Sequence, residues 1–204
     1  MSRVPKGEGR RKRILGDDEI RAVWSVAGQY GDFVRLALLT AQRREKLITL
    51  RWDDIKNDVW AIRTEPREKG NPGKLKLPPV AIAIIEAQPR FVGNPYVFAG
   101  RNSGATAIFR SGTYKARFDK LCGVADWCVH DLRRTARSLM SRAGVQTEIA
   151  ERVLGHTQGE LIETYDRHSY ADEMAAALEK LAALVERIAN PPAENVVPLE
   201  HARA

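Results

Sequence analysis

Apolar positions recur at helical spacing along most of this chain and shift to strand-like runs in one short stretch. Ile20, Val23, Trp24 and Ala27 share one face, which predicts a helix from an Asp17 N-cap through Gln29. Gly31-Asp32 restarts the chain, and Phe33, Leu36, Ala37, Leu39, Leu47 and Leu50 predict a second helix of buried character. After Arg51 the pattern changes. Trp52–Ile55, Val59–Arg63 and Leu75–Leu77 read as strands, parted by Lys56-Asn57-Asp58 and by the loop Pro66–Gly73. Pro78-Pro79 opens a helix over Val80–Gln88, since proline is tolerated in a first helical turn. Gly93–Gly112 is expected to be mostly irregular around Tyr96-Val97-Phe98. Helices return over Thr113–Cys122, over His130–Ala143 with a stop at Gly144, and from a Thr147 cap to Leu154 with a stop at Gly155. A last helix, Asp172–Ala189, aligns Met174, Leu178, Leu181, Val185 and Ile188 on one stripe before Pro191-Pro192 ends it. The expected fold class is α+β, mostly α-helical, with a small three-stranded antiparallel sheet.

Composition narrows the picture. Apolar residues make up 44% of the 204 positions, enough for one domain with a real core. Residues 1–13 are basic and non-periodic and read as an arm or linker stub, residues 14–190 as the domain, and residues 191–204 as a flexible tail. Thirty-three Lys and Arg against 26 Asp and Glu give a net charge of +7, which modestly favours a polyanionic partner. The start, MSRVPKGEGRRKR, is no signal peptide, and no apolar run is long enough for a membrane span. A cytoplasmic protein with Cys122 and Cys128 as reduced, mostly buried thiols is the expectation.

The candidate chemistry comes in an ordered set. His130-Asp131-Leu132-Arg133 places a histidine and an arginine on one helix face; by itself the pair reads as a capping histidine beside a surface arginine. Leu154-Gly155-His156 puts a second histidine in a turn, and Tyr165 follows; alone, these are a C-cap histidine and a half-buried core tyrosine. Metal-free phosphodiester exchange needs guanidinium forks for the non-bridging oxygens, a nucleophile, and an acid for the departing oxygen. Arginine, histidine and tyrosine in this order match that need.

Together, H-x-x-R, L-G-H and Tyr resemble the tyrosine recombinase (phage integrase) family. Its first conserved box is similar to Thr40-Ala41-Gln42-Arg43, with Leu50, Trp52 and Asp54 in register. The family's lysine sits in the loop between its second and third strands, where Lys69 is the better match and Lys74 the fallback. The resemblance covers about Asp17 to Leu184. It implies Tyr165 as nucleophile, giving a 3′-phosphotyrosine and a free 5′-hydroxyl. Arg43 and Arg133 would clamp the phosphate, with His156 as a further donor. Lys69 would protonate the leaving oxygen, and His130 would assist proton transfer at the tyrosine. The implied partner is double-stranded DNA at attachment sites, bound by a homo-tetramer assembled through the C-terminal segment. The implied role is site-specific recombination in phage or genomic-island integration and excision, with no cofactor and no metal.

This chain departs from the family pattern at three places. Ala41 replaces the usual glycine, a mild change if it lies on a helix. Lys46 stands where a glutamate commonly orients the arginine, with Glu45 one position early. The DNA core-binding domain that normally precedes this one is missing, so the chain is a piece of a longer protein or a short member. Two other readings remain open: type IB topoisomerase-like DNA relaxation, and a non-catalytic DNA-binding relative. Relaxation without sequence preference would mark the first, and the filled catalytic positions count against the second.

Overall fold

The computed structural model describes residues 12–64, 70–100, 108–109, 112–156 and 168–191. Helix α1, Asp17–Ser25, buries Ile20 and Val23 and begins one residue earlier than the sequence suggests, with Gly16 as N-cap. The Glu19 carboxylate accepts from the Gly16 amide at 3.0 Å and from Arg13, whose Nε also reaches the Asp126 carbonyl at 2.9 Å. The last residues of the expected arm are thus anchored to the domain.

Helix α2, Gln29–Thr40, is the most buried element, with Phe33, Leu36, Leu38 and Leu39 all inaccessible. The break before it falls at Val26–Gly28, not at Gly31-Asp32 as the glycine implies. Gly31 lies inside the helix, and only glycine fits there because a Cβ would stand 2.1 Å from the Val26 carbonyl oxygen. Nor does the expected single helix run on to Leu50. It ends at Ala41, which adopts a left-handed conformation (φ 55°), and a short helix α3 follows over Arg44–Ile48. Ala41 is therefore not on a helix, and the exchange of the family's glycine for alanine carries the steric cost of a Cβ in this region.

The sheet is antiparallel in the order β1–β2–β3, with β1 Ile55–Lys56, β2 Val59–Ala61 and β3 Lys74–Lys76. Asn57 and Asp58, both at positive φ, make the tight β1–β2 turn. Trp60 pairs with Leu75 on the buried face, while Val59–Lys76 and Ala61–Lys74 lie on the other. The strands are shorter than expected, and Trp52–Asp54 is a single 3₁₀ turn.

Helix α4 spans Pro79–Glu86, α5 Gly112–Cys122, α6 Val129–Arg142, α7 Thr147–Leu154 and α8 Ala171–Ala189. Gln146, not Thr147, is the N-cap of α7, and Gly155 ends that helix in the left-handed region. The stripe Met174, Leu178, Leu181, Val185 and Ile188 on α8 is buried against this same domain, where α8 packs on α1, α6, α7 and β3. One continuous core joins all of these elements. Both cysteines are free, but neither is buried: Cys122 is half-buried, and Cys128 is exposed at the start of α6. Among the described residues, no helix is long and apolar enough to cross a membrane.

Ala41→Gly should raise stability by about 0.5–1 kcal/mol, because relief of the left-handed alanine outweighs the added unfolded-chain entropy. Urea denaturation measures this; an unchanged or lower midpoint at constant slope would contradict it.

Candidate active site

Arg133 lies on α6 with its guanidinium turned into the protein and only 4% of its surface exposed. Its Nη1 donates to the Ala41 carbonyl at 2.6 Å and its Nη2 to the Leu154 carbonyl at 2.7 Å. Both acceptors sit at helix C-termini, where carbonyls lack intrahelical partners and the backbone dipoles favour a cation. The left-handed turn at Ala41 brings its carbonyl to this point. Nη2 also stands 3.1 Å from His156 Nε2, so the H-x-x-R arginine and the L-G-H histidine meet directly.

The other ring nitrogen, His156 Nδ1, is 2.5 Å from Glu151 Oε2. Arg137 Nε holds the second carboxylate oxygen at 2.6 Å. Arg137 and Arg133 are one turn apart on α6, so a continuous polar chain runs Arg137–Glu151–His156–Arg133. Arg43, the N-cap of α3, donates from Nη1 to the Gly70 carbonyl at 3.0 Å. Lys46 is nearly buried and points away, to the Arg63 carbonyl at 2.5 Å. Backbone of the β2–β3 loop thus supports Arg43 at a position where the family commonly supplies a glutamate.

Arg43, His130, Arg133 and His156 all line one cleft of about 480 Å³, together with Arg134, Arg137, Ser138, Glu151, Leu154 and Ile14. Four residues singled out from sequence therefore converge, although they come from segments far apart in the chain. Lys69 and Tyr165 lie outside the described residues. Lys74 is on β3 and does not line the cleft. Arg134, Arg137 and Glu151 were not anticipated. The usable signals were the i,i+4 spacing of Arg133 and Arg137 and the placement of Glu151 one helical turn before the Leu154-Gly155 stop.

Gly155 has a second duty beyond its positive φ. A Cβ there would lie 2.3 Å from Pro72 Cδ and 2.8 Å from the Asn71 carbonyl carbon, so the L-G-H turn and the β2–β3 loop are in closest contact. Only glycine permits both the turn and the approach.

The cleft is strongly cationic. Burial draws Arg133 down to about 10, helped by the nearby charge of Arg43, yet it stays protonated at neutral pH. Burial lowers His130 below the ordinary histidine range, and the charges of Arg134 and Arg133 push the same way. Burial tends to raise Glu151, but hydrogen bonds from Arg137 and His156 outweigh it and hold the carboxyl below its usual range. His130 is therefore neutral at pH 7, able to accept a proton, and Glu151 is an anion.

The His130 midpoint, read by NMR, should fall below the ordinary value of about 6.5. Arg134→Ala should move it upward, since removing a neighbouring cation favours the imidazolium. A wild-type midpoint above the ordinary value would refute this electrostatic picture.

The comparisons agree with the geometry. The family model described as "Phage integrase family" matches residues 25–172. The integrase of Salmonella phage P22 is 26% identical over 179 residues, covering 80% of this chain and 46% of the relative. The chain thus spans about half the length of that curated relative. An integrase from mycobacterium phage Brujita has a similar fold, with a TM-score of 0.65 at 18% identity over 92% of this chain and 66% of the other. A lambda integrase fragment solved as a dimer bound to a COC′ core site gives 0.58 at 20% identity, over 78% of this chain and 63% of the other. The lambda integrase catalytic core gives 0.54 at 20% identity, over 74% of this chain and 94% of the other. Motif order, cleft and family match lead to one conclusion: the chain belongs to the phage integrase family of tyrosine recombinases.

Proposed function

We propose that this chain, with residues 14–190 as its catalytic domain, cuts and rejoins DNA in site-specific recombination of the phage or genomic-island type. The observation that carries this reading is the meeting of Arg43, His130, Arg133 and His156 in one cleft. In this mechanism the Tyr165 hydroxyl oxygen attacks the scissile phosphorus. The bond from phosphorus to the 5′-oxygen breaks, leaving a 3′-phosphotyrosine and a 5′-hydroxyl. Neutral His130 takes up the tyrosine proton, and Lys69 gives one to the leaving oxygen. Arg43 and Arg133 neutralise the charge that grows on the non-bridging oxygens, where planar guanidinium forks fit better than ammonium groups. His156 contributes to the same oxygens. The energy of the phosphodiester is kept in the covalent link, so religation requires no nucleotide cofactor.

Double-stranded DNA is the proposed partner. The family match, the net charge of +7 and the solved lambda integrase dimer on its core site support it. We extend the proposal to a cytoplasmic enzyme that assembles as a homo-tetramer on paired attachment sites through its C-terminal segment. Because the apolar stripe of α8 is committed to its own domain, that docking would fall to residues after Ala189.

Two experiments test the reading. Nicked suicide DNA bearing a candidate attachment sequence, incubated with the chain and a chelator, should give a protein–DNA adduct that survives denaturant. Tyr165→Phe should abolish the adduct and leave DNA binding intact; an adduct formed by the Phe variant would refute the nucleophile assignment. Arg133→Lys should slow adduct formation by about 10²–10³-fold, the usual loss when one preorganised oxyanion donor goes. A Lys variant at wild-type rate would remove Arg133 from the phosphate clamp.

A further inference from the structure

The polar chain Arg137–Glu151–His156–Arg133 contains a carboxylate that the proposed reaction does not use. Glu151 sits on α7, partly buried, with one oxygen 2.6 Å from Arg137 Nε and the other 2.5 Å from His156 Nδ1. Arg137 is itself fixed, its Nη1 donating to Ser141 Oγ at 2.6 Å. Both carboxylate oxygens are therefore occupied, and the carboxylate is braced from α6 rather than left to rotate.

We propose that Glu151 is a positioning residue for the strand-transfer site: it fixes His156 as the Nδ1–H tautomer and aims Nε2 at the phosphate bound by Arg133. The proposal rests on the function proposed above. The physical argument starts from the two ring nitrogens. An ionised carboxylate accepts only, so the 2.5 Å contact requires the proton on Nδ1. Nε2 of the neutral ring must then accept, and the Arg133 Nη2 donor stands 3.1 Å away. One carboxylate thus decides which nitrogen faces the cleft, and the guanidinium reads that choice.

Among the described residues, Glu151 is the only anion lining the pockets on either side of His156. Arg133, Arg134 and Arg137 from α6 and Arg43 from the start of α3 line the cleft on one side of the ring, and Arg152 from α7 lines the pocket on the other. From the β2–β3 loop and the segment before α8, Asn71, Pro72 and Ser169 approach without charge. Whenever Nε2 holds a proton, the form in which it donates to a phosphate oxygen, Glu151 is the one described group that balances the ring's charge among these cations. A carboxylate behind a working histidine has the same logic at metal centres, where its removal costs about 10–100-fold.

The test uses the whole chain and two variants. In DNA-free protein, long-range ¹⁵N–¹H NMR of the His156 ring should show the Nδ1–H tautomer. Glu151→Ala should lose that signature. The near-isosteric Glu151→Gln, which removes the charge and keeps the fold if alanine does not, should slow adduct formation about tenfold or more. Neither variant should alter DNA affinity by more than about twofold, because the carboxylate does not contact the phosphate directly. In a His156→Ala background, the Glu151→Gln loss should vanish, since the carboxylate would have no ring to act through. A wild-type rate for Glu151→Gln, an unchanged His156 tautomer in Glu151→Ala, or an equal loss in the His156→Ala background would each overturn the proposal. The NMR signature needs no DNA, so it stands or falls separately from the recombinase reading; failure of the wild-type chain to form adduct would strike that reading instead.

Discussion

The buried guanidinium of Arg133 is the contact on which the site depends. Its partners are the Ala41 carbonyl that closes α2, the Leu154 carbonyl that closes α7, and the imidazole of His156. Helix C-termini carry unpaired carbonyls and partial negative charge, so a cation there satisfies the helices while they satisfy the cation. Burying such a charge without partners would cost several kcal/mol, on the order of what holds a domain together. The three-helix junction of α2, α6 and α7 and the buried cation are one construction. A shift in any of these helices would move the Arg133 guanidinium in the cleft.

That construction explains two departures from regular structure. The chain leaves α2 through a left-handed alanine, a turn that both ends the helix and presents the Ala41 carbonyl to Arg133. The left-handed alanine at φ 55° carries a local steric cost that the buried Arg133 hydrogen bond offsets. At the other helix end, Gly155 supplies the left-handed cap without strain and lets the Asn71-Pro72 backbone come close. The β2–β3 loop is also held by Arg43 through Gly70. The loop is therefore tied to the cleft from two sides, which matters for any group it carries toward a bound phosphate.

The electrostatics follow from the same arrangement. Four arginines line the cleft, and their charges would repel one another in a closed site without an anion between them. Glu151 offsets part of this repulsion, and a phosphodiester entering the cleft would offset more. His130 is kept neutral by burial and by these cations. A cleft built this way is complementary to a phosphate that gains negative charge as it reacts, more than to any neutral ligand.

The sequence by itself determined most of the elements and their order, and it singled out four residues that line the cleft. H-x-x-R, L-G-H and the Arg43 box are local patterns, and helix period and turn residues are read from neighbours along the chain. The three-stranded sheet was legible for the same reason, since Asn57-Asp58 marks its first turn. What sequence reasoning missed was non-local. Gly31 looks like a break, yet it sits inside α2, where glycine is needed because the carbonyl of Val26 packs against it. Ala41 looks like a helical residue, and it turns left-handed to meet an arginine 92 positions away. The α8 stripe is amphipathic whether it docks on a neighbour or at home, and only packing showed that it stays home. Glu151 and Arg137 are ordinary surface-helix residues in the sequence; they become part of the site because α6 and α7 lie side by side. Hydrophobic period and turn chemistry act over a few residues and are written in the chain, whereas the partner of a buried charge is chosen only when distant helix ends come together.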